Sequence, residues 1–559
     1  MQPELEQLAD ELWEFGLENS PSSATLLGDH RFDHLIEDLS EENEAVQREQ
    51  LLGFAKRAEA IDSVALTHAE QVTREVIIGE CRKNVAVIDS EIAEMRSDQL
   101  VSPHASLMHV VPQWMFPEPE HAEAYLERLH AIPRALEQAL VRYRSAIAKG
   151  RPPARLTVVR SLSMLDGYLA SPPEADIFAS VGGPQEWDGD AAWRDRLRAI
   201  VRDTLRPAVQ RYRDVFESEL LPVARPDDRC GLTWVEGGDE IYATAVTEHT
   251  GLELSPDEIH EIGMDDIKGK LAAEYAEIGE RVFGTRDVPA ILDHLRKDPD
   301  LRFSDSDEIM DMAGDILARA KGAIGEWFGV LPQADCLIAP IPEYMAKDLP
   351  AAYYMPPAPD GSRPGTFYVN LVDPQEKMKF QAEAVGFHES IPGHHLQLAI
   401  AGELDDIPTF QRYMGATSFM EGWGLYAERL ADEMGLYSND LQRLGMLSTD
   451  SWRSGRLVVD TGMHAKGWSR DQAVDFLVEN TAVARSEAEV EIDRYVGWPG
   501  QALAYRIGQR EIFRLREKAR TALGDRFDIR GFHDTVLTSG PVTMPILEWL
   551  IDEWLSNQG

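Results

Sequence analysis

Residues 383–401 read EAVGFHESIPGHHLQLAIA, and this stretch decides how the rest of the chain is understood. His388, His394 and His395 lie close together in it, and Glu389 follows the first of them. Ala384, Val385, Phe387, Ile391, Leu396, Leu398 and Ile400 surround these groups, so the segment is expected to be buried. Burying imidazoles and a carboxylate is costly unless something pairs with them, and a metal ion is the simplest partner for that set.

The spacing departs from the H-E-x-x-H helix of zinc hydrolases, because Pro392 stands where the second histidine would be. In a regular helix His394 would sit about 120° off the face of His388, and His395 about 10 Å further along the axis. Pro392 has no N–H for the carbonyl of His388 and its ring clashes there, while Gly393 allows a turn that most residues resist. A bulged or broken helix at 391–393 would bring His394 back beside His388, with His395 as the alternative ligand.

Working outward, HESIPGHHLQ at 388–397 is followed by FMEGWGLYAE at 419–428. Together with PSSATLLGDHRFD (21–33), GTFYVN (365–370), RLVVDTGMHAKGWS (456–469) and RYVGWPGQALAYRIG (494–508), these segments resemble the bacterial domain-of-unknown-function 885 family. The resemblance spans nearly the whole chain. It implies a relation to gluzincin-type zinc metallopeptidases, two helical lobes around a deep cleft, and short peptides as substrates.

A helix over Ser418–Met434 carries Glu421 and Glu428, seven apart and on one face. Glu421 is read as the third ligand, since two histidines and a carboxylate form a known zinc set, with Glu428 as the fallback or a supporting acid. The same set occurs in Fe(II) oxygenases. Glu389, a base beside the metal, favours hydrolysis. Gly422 and Gly424 are expected to let the two helices pack closely.

Further on, Arg453, Arg456, Asp460 and His464 recur at steps of three, four and four, forming one helical stripe. His464 is expected to donate to a developing oxyanion, oriented by Asp460 or an arginine. The family resemblance adds a tyrosine to that task, either Tyr505 or Tyr495. Arg456 and Arg494 are candidate substrate-binding cations.

Upstream, the texture turns proline-rich and β-branched after Asp335. Leu337–Pro340, Ala352–Met355 and Gly365–Asn370 read as strands, with Asp360-Gly361 as a turn. By the resemblance, Thr366, Phe367, Tyr368 and Val369 form an edge strand that pairs with an extended peptide. Residues 1–335 read as helices, with Glu42–Ala65, His68–Met95, His121–Ala148 and Trp193–Leu220 the clearest.

The 559 residues carry a net charge of −42, which disfavours nucleic acid and anionic membranes as partners. Cys81, Cys230 and Cys336 are too few and too scattered for a disulfide framework. No apolar run approaches a membrane span, and the cytoplasm is the expected location. The expectation is therefore a mainly α-helical unit with one small sheet beside the active-site helix. Residues 1–335 form its helical part and 336–559 its metal-site part. It would bind one Zn²⁺ and hydrolyse small peptides; a non-peptide amide or ester hydrolase, or a helical protein with a structural metal, are the alternatives.

Overall fold

A computed structural model describes residues 1–342, 350–357, 363–413 and 415–558. The Asp360-Gly361 turn lies outside the described residues. The fold is mainly α-helical, with helices from Pro3–Asn19 to Met544–Asn557 and a single three-stranded sheet among the described residues. The expected N-terminal helices appear as Glu41–Ala60, His68–Ser90 and Pro119–Ala148, and as a run over 190–220 in which α-helical stretches alternate with wider π-helical turns.

Two helix starts show how local sequence sets these elements. Ser255 and Glu258 form a reciprocal capping box at the head of Pro256–Asp266, with Pro256 in the first turn. Thr67 and Glu70 do the same for His68–Ser90.

The largest apolar core joins both ends of the chain. Leu5, Leu8 and Leu12 of the first helix share it with Phe387, Leu396, Trp423, Ile512 and Leu547. The motif segment therefore sits on a core that the first and last helices help to build. A second core, including Trp114, Tyr125, Trp193 and Tyr212, holds the helices of residues 107–220 together.

The sheet comprises β1 (Cys336–Pro340), β2 (Ala352–Met355) and β3 (Gly365–Val369), in the order β1-β3-β2. β3 pairs parallel with β1, Cys336 opposite Gly365, and antiparallel with β2, Ala352 opposite Val369. This corrects the edge-strand expectation for Thr366–Val369. β3 is the central strand, and its backbone groups are committed on both sides.

Candidate metal centre

The motif forms two helices, α1 (Ala382–Glu389) and α2 (His394–Gly402), broken between them. Three contacts fix the break. The Ser390 hydroxyl donates to the Gly386 carbonyl at 2.6 Å, the His395 N–H donates to Ser390 O at 3.1 Å, and the buried Trp423 indole donates to Pro392 O at 2.9 Å. A Cβ on Gly393 would stand 1.9 Å from the His388 carbonyl oxygen, so only glycine fits.

The break turns His394 back onto His388. Their rings lie 4.7 Å apart at 89°. Glu421, on α3 (Thr417–Glu433), places Oε2 3.6 Å from Nε2 of both histidines. The three ligand atoms lie within 4.8 Å of one another. A distance of 3.6 Å is too long for a hydrogen bond. It is close to the roughly 3.4 Å that separates neighbouring donors around a tetrahedral ion bound at about 2.0–2.1 Å. The donor set thus fits one divalent cation.

Support for His388 comes from behind. Its Nδ1–H donates to Glu428 Oε1 at 2.9 Å, leaving Nε2 as the electron-pair donor. Glu428 is itself fixed by the Thr449 hydroxyl from α4 (Asp440–His464). Gly424 is where the His388 ring touches α3; a Cβ there would lie 2.7 Å from it. Gly422 serves a different contact, against Gly508 of α5 (Ala504–Leu523), and not the motif helix.

The imidazoles and carboxylates of this group shift one another's proton affinities. Burial alone would strip the proton from His388, yet Glu421 and Glu428 draw its pKa up to about 10. Burial would likewise raise Glu421, but the two imidazoles hold it well below the usual carboxylate range. Burial pushes the Glu389 carboxyl up, against the pull of His388 and His394. Glu389 stands one turn after Val385 on α1, and Val385 lines a cavity of about 710 Å³ with Phe367, Val369, Gln381 and Glu487.

His395 is not in this group. It is buried, and its Nδ1 meets the Tyr354 hydroxyl of β2 at 2.9 Å. His30, Asp33 and His121 form a second group with ligand atoms within 4.8 Å. There the imidazoles stack at 4.1 Å and 13°, so their in-plane lone pairs run side by side and do not converge.

The stripe on α4 divides. His464, expected at the oxyanion, is corrected to a scaffold role: Nδ1 accepts from the Leu232 N–H at 3.2 Å, and Nε2–H donates to Tyr495 O at 3.0 Å. Asp460 is turned the same way, accepting from the Tyr242 hydroxyl at 2.6 Å and the Gly500 N–H at 3.2 Å. The Tyr495 hydroxyl is also spent, donating to Glu491 at 2.5 Å and accepting from Arg456 at 2.8 Å. Tyr505 keeps only a 3.5 Å contact from Arg494 on its hydroxyl among the described residues. Thr449 and Glu487 were missed by the sequence reading. Thr449 lies four residues before Arg453, so extending the stripe by one turn would have found it.

A model of the family described as bacterial protein of unknown function (DUF885) matches residues 21–551. A search of curated proteins finds no match. Among solved structures, a candidate lipoprotein from Colwellia psychrerythraea is 26% identical, with a TM-score of 0.91 over 99% of both chains. A candidate lipoprotein of unknown function from Shewanella oneidensis is 19% identical, with a TM-score of 0.76 over 98% of both chains, and shares the fold. Both neighbours carry the description of lipoprotein, and this overturns the expected cytoplasmic location. Among the described residues no helix is long and apolar enough to cross a membrane.

Proposed function

Because the chain belongs to the DUF885 family of bacterial proteins of unknown function, its chemistry has to be read from its own side chains, and from them we propose a zinc-dependent hydrolase that cleaves short peptides. The supporting observation is the convergence of His388, His394 and Glu421 immediately beside Glu389. Three protein donors are the number of a catalytic zinc site, whereas structural sites use four. The likeness to gluzincin metallopeptidases, including a deep cleft between helical lobes, is part of this proposal.

When bound, zinc would polarise a substrate carbonyl and lower the pKa of water towards ~7. Glu389 takes the proton of the attacking water and returns it to the leaving amine. Glu428 holds His388 in the tautomer that presents Nε2. Tyr505 is the hydroxyl left to steady the oxyanion, since His464 and Tyr495 are engaged elsewhere. Phe367 and Val369 contribute side chains to the cavity wall, with no backbone pairing from β3. The neighbours' description as lipoproteins suggests that the reaction takes place outside the cytoplasm.

The test is chelation. Removing the metal should abolish cleavage of a mixed peptide library, and one equivalent of zinc should restore it. Cleavage that survives chelation overturns the reading.

A further inference from the structure

Thr449, which bonds Glu428, is followed on α4 by Arg453 and then Arg456, each about one turn further along. The face that supports His388 therefore continues directly into two guanidinium groups. Arg453 is near enough to Glu389 for its charge to act on that carboxylate.

Among the described residues Arg453 makes no hydrogen bond or ion pair, and its Nε is buried without a partner. Aromatic rings hold it instead, with Trp452 4.9 Å and Tyr505 5.9 Å from the guanidinium carbon. Arg456 is 3% exposed. Its Nε donates to the Tyr495 hydroxyl at 2.8 Å and Nη2 to Glu491 at 3.2 Å, but Nη1 is buried and unpartnered. It too lies on Tyr505, at 4.5 Å. Arg494 completes the cluster, donating to Gln501 at 2.5 Å.

Three guanidiniums face Glu491 and Glu487, and burial pushes the Glu487 pKa up to about 7. The three guanidiniums thus share Glu491, a Glu487 that is only partly ionised near neutral pH and, opposite Arg453, the Glu389 carboxyl. The chain has 97 acidic residues against 55 basic ones, so cations elsewhere have acids in excess to pair with. Leaving buried guanidinium N–H groups unpaired costs free energy that an external anion would recover. Glu487 also lines the cavity that reaches Val385, one turn before Glu389 on α1.

We propose that Arg453 and Arg456 receive a carboxylate of the substrate, so that the substrates are peptides or acyl amino acids with a free C-terminal carboxylate close to the scissile amide. This rests on the hydrolase reading above and narrows it to carboxypeptidase-type cleavage. The planar guanidinium fork matches a carboxylate in two parallel hydrogen bonds. Arg453 lies about 6 Å along the helix axis from Thr449, whose partner Glu428 supports His388, so the guanidiniums continue the same face of α4 beyond the metal group.

The experiment uses zinc-loaded Glu389→Gln protein and a random N-acetylated pentapeptide library made as free acids and as C-terminal amides. Retained peptides are counted by mass spectrometry. Acids should be retained at least about tenfold over amides, the scale of one charge-assisted hydrogen bond. Adding Arg453→Met should bring that ratio near one while zinc content stays unchanged and melting temperature changes little, because Arg453 makes no hydrogen bond or ion pair among the described residues and loses only its ring contacts. Equal retention of acids and amides by the parent, retention of neither, or an acid preference that survives Arg453→Met overturns the proposal. Acid preference without any products from the wild-type enzyme would overturn hydrolysis and support the carboxylate site. Cleavage without acid preference would overturn the site alone.

Discussion

Glu428 accepts from His388 Nδ1 at 2.9 Å, on the ring nitrogen opposite the one that faces Glu421. This fixes both the tautomer and the direction of the ring before any ion arrives. Glu428→Gln should therefore lower zinc affinity about 10- to 100-fold while leaving the fold intact. A competitive chelator titration measures it; unchanged affinity would show that Glu428 does not orient the ligand.

His388→Ala, His394→Ala and Glu421→Ala should each reduce bound zinc to near zero by elemental analysis. His395→Ala should keep its zinc, because that ring bonds Tyr354 and faces the sheet. Loss of metal in His395→Ala with retention in His394→Ala would reverse the assignment.

Gly424→Ala places a methyl 2.7 Å from the His388 ring. The ring has to move, so zinc affinity should fall more than thermal stability does. A variant with wild-type affinity would show that α1 and α3 can separate at no cost to the site.

His464 offers a test through pH. Burial holds its pKa down at about 4, against about 6.5 in the unfolded chain. Between these values the unfolded state binds the extra proton, so the contribution is complete above pH 6.5 and is lost as pH falls towards 4. His464→Ala should lower stability at neutral pH and flatten the decline on acidification by about 1.4 kcal/mol per pH unit at its steepest. Zinc content should not change. Chemical denaturation at a series of pH values checks this; an unaltered slope would contradict the buried, neutral histidine.

The break in the motif helix was legible because its causes are local. Pro392 lacks an N–H, Gly393 lacks a Cβ, and both act on the carbonyl of His388 within the same turn. Glu421 and Glu428 were legible as one helical face, but not which of them meets Nε2 and which Nδ1. That depends on how α3 packs, and Gly424 decides it by admitting the ring. The stripe on α4 misled for a similar reason. Periodicity groups Arg453 with His464, yet the helix is buried along almost its whole length. Its far end meets Tyr242, Leu232 and Gly500 instead of the site. Strand order was illegible: the edge reading of β3 came from the family resemblance, whereas parallel pairing with β1 places it between β1 and β2.

The most direct measurement takes zinc content and turnover on the same preparation of Glu389→Gln, with the peptide library as substrate. The account predicts one zinc per chain, as in the wild type, and turnover lower by about 10²–10⁴-fold, the loss of a general base with its ligands intact. Wild-type turnover in a zinc-loaded Glu389→Gln, with products accumulating at the same rate from both proteins, would contradict it.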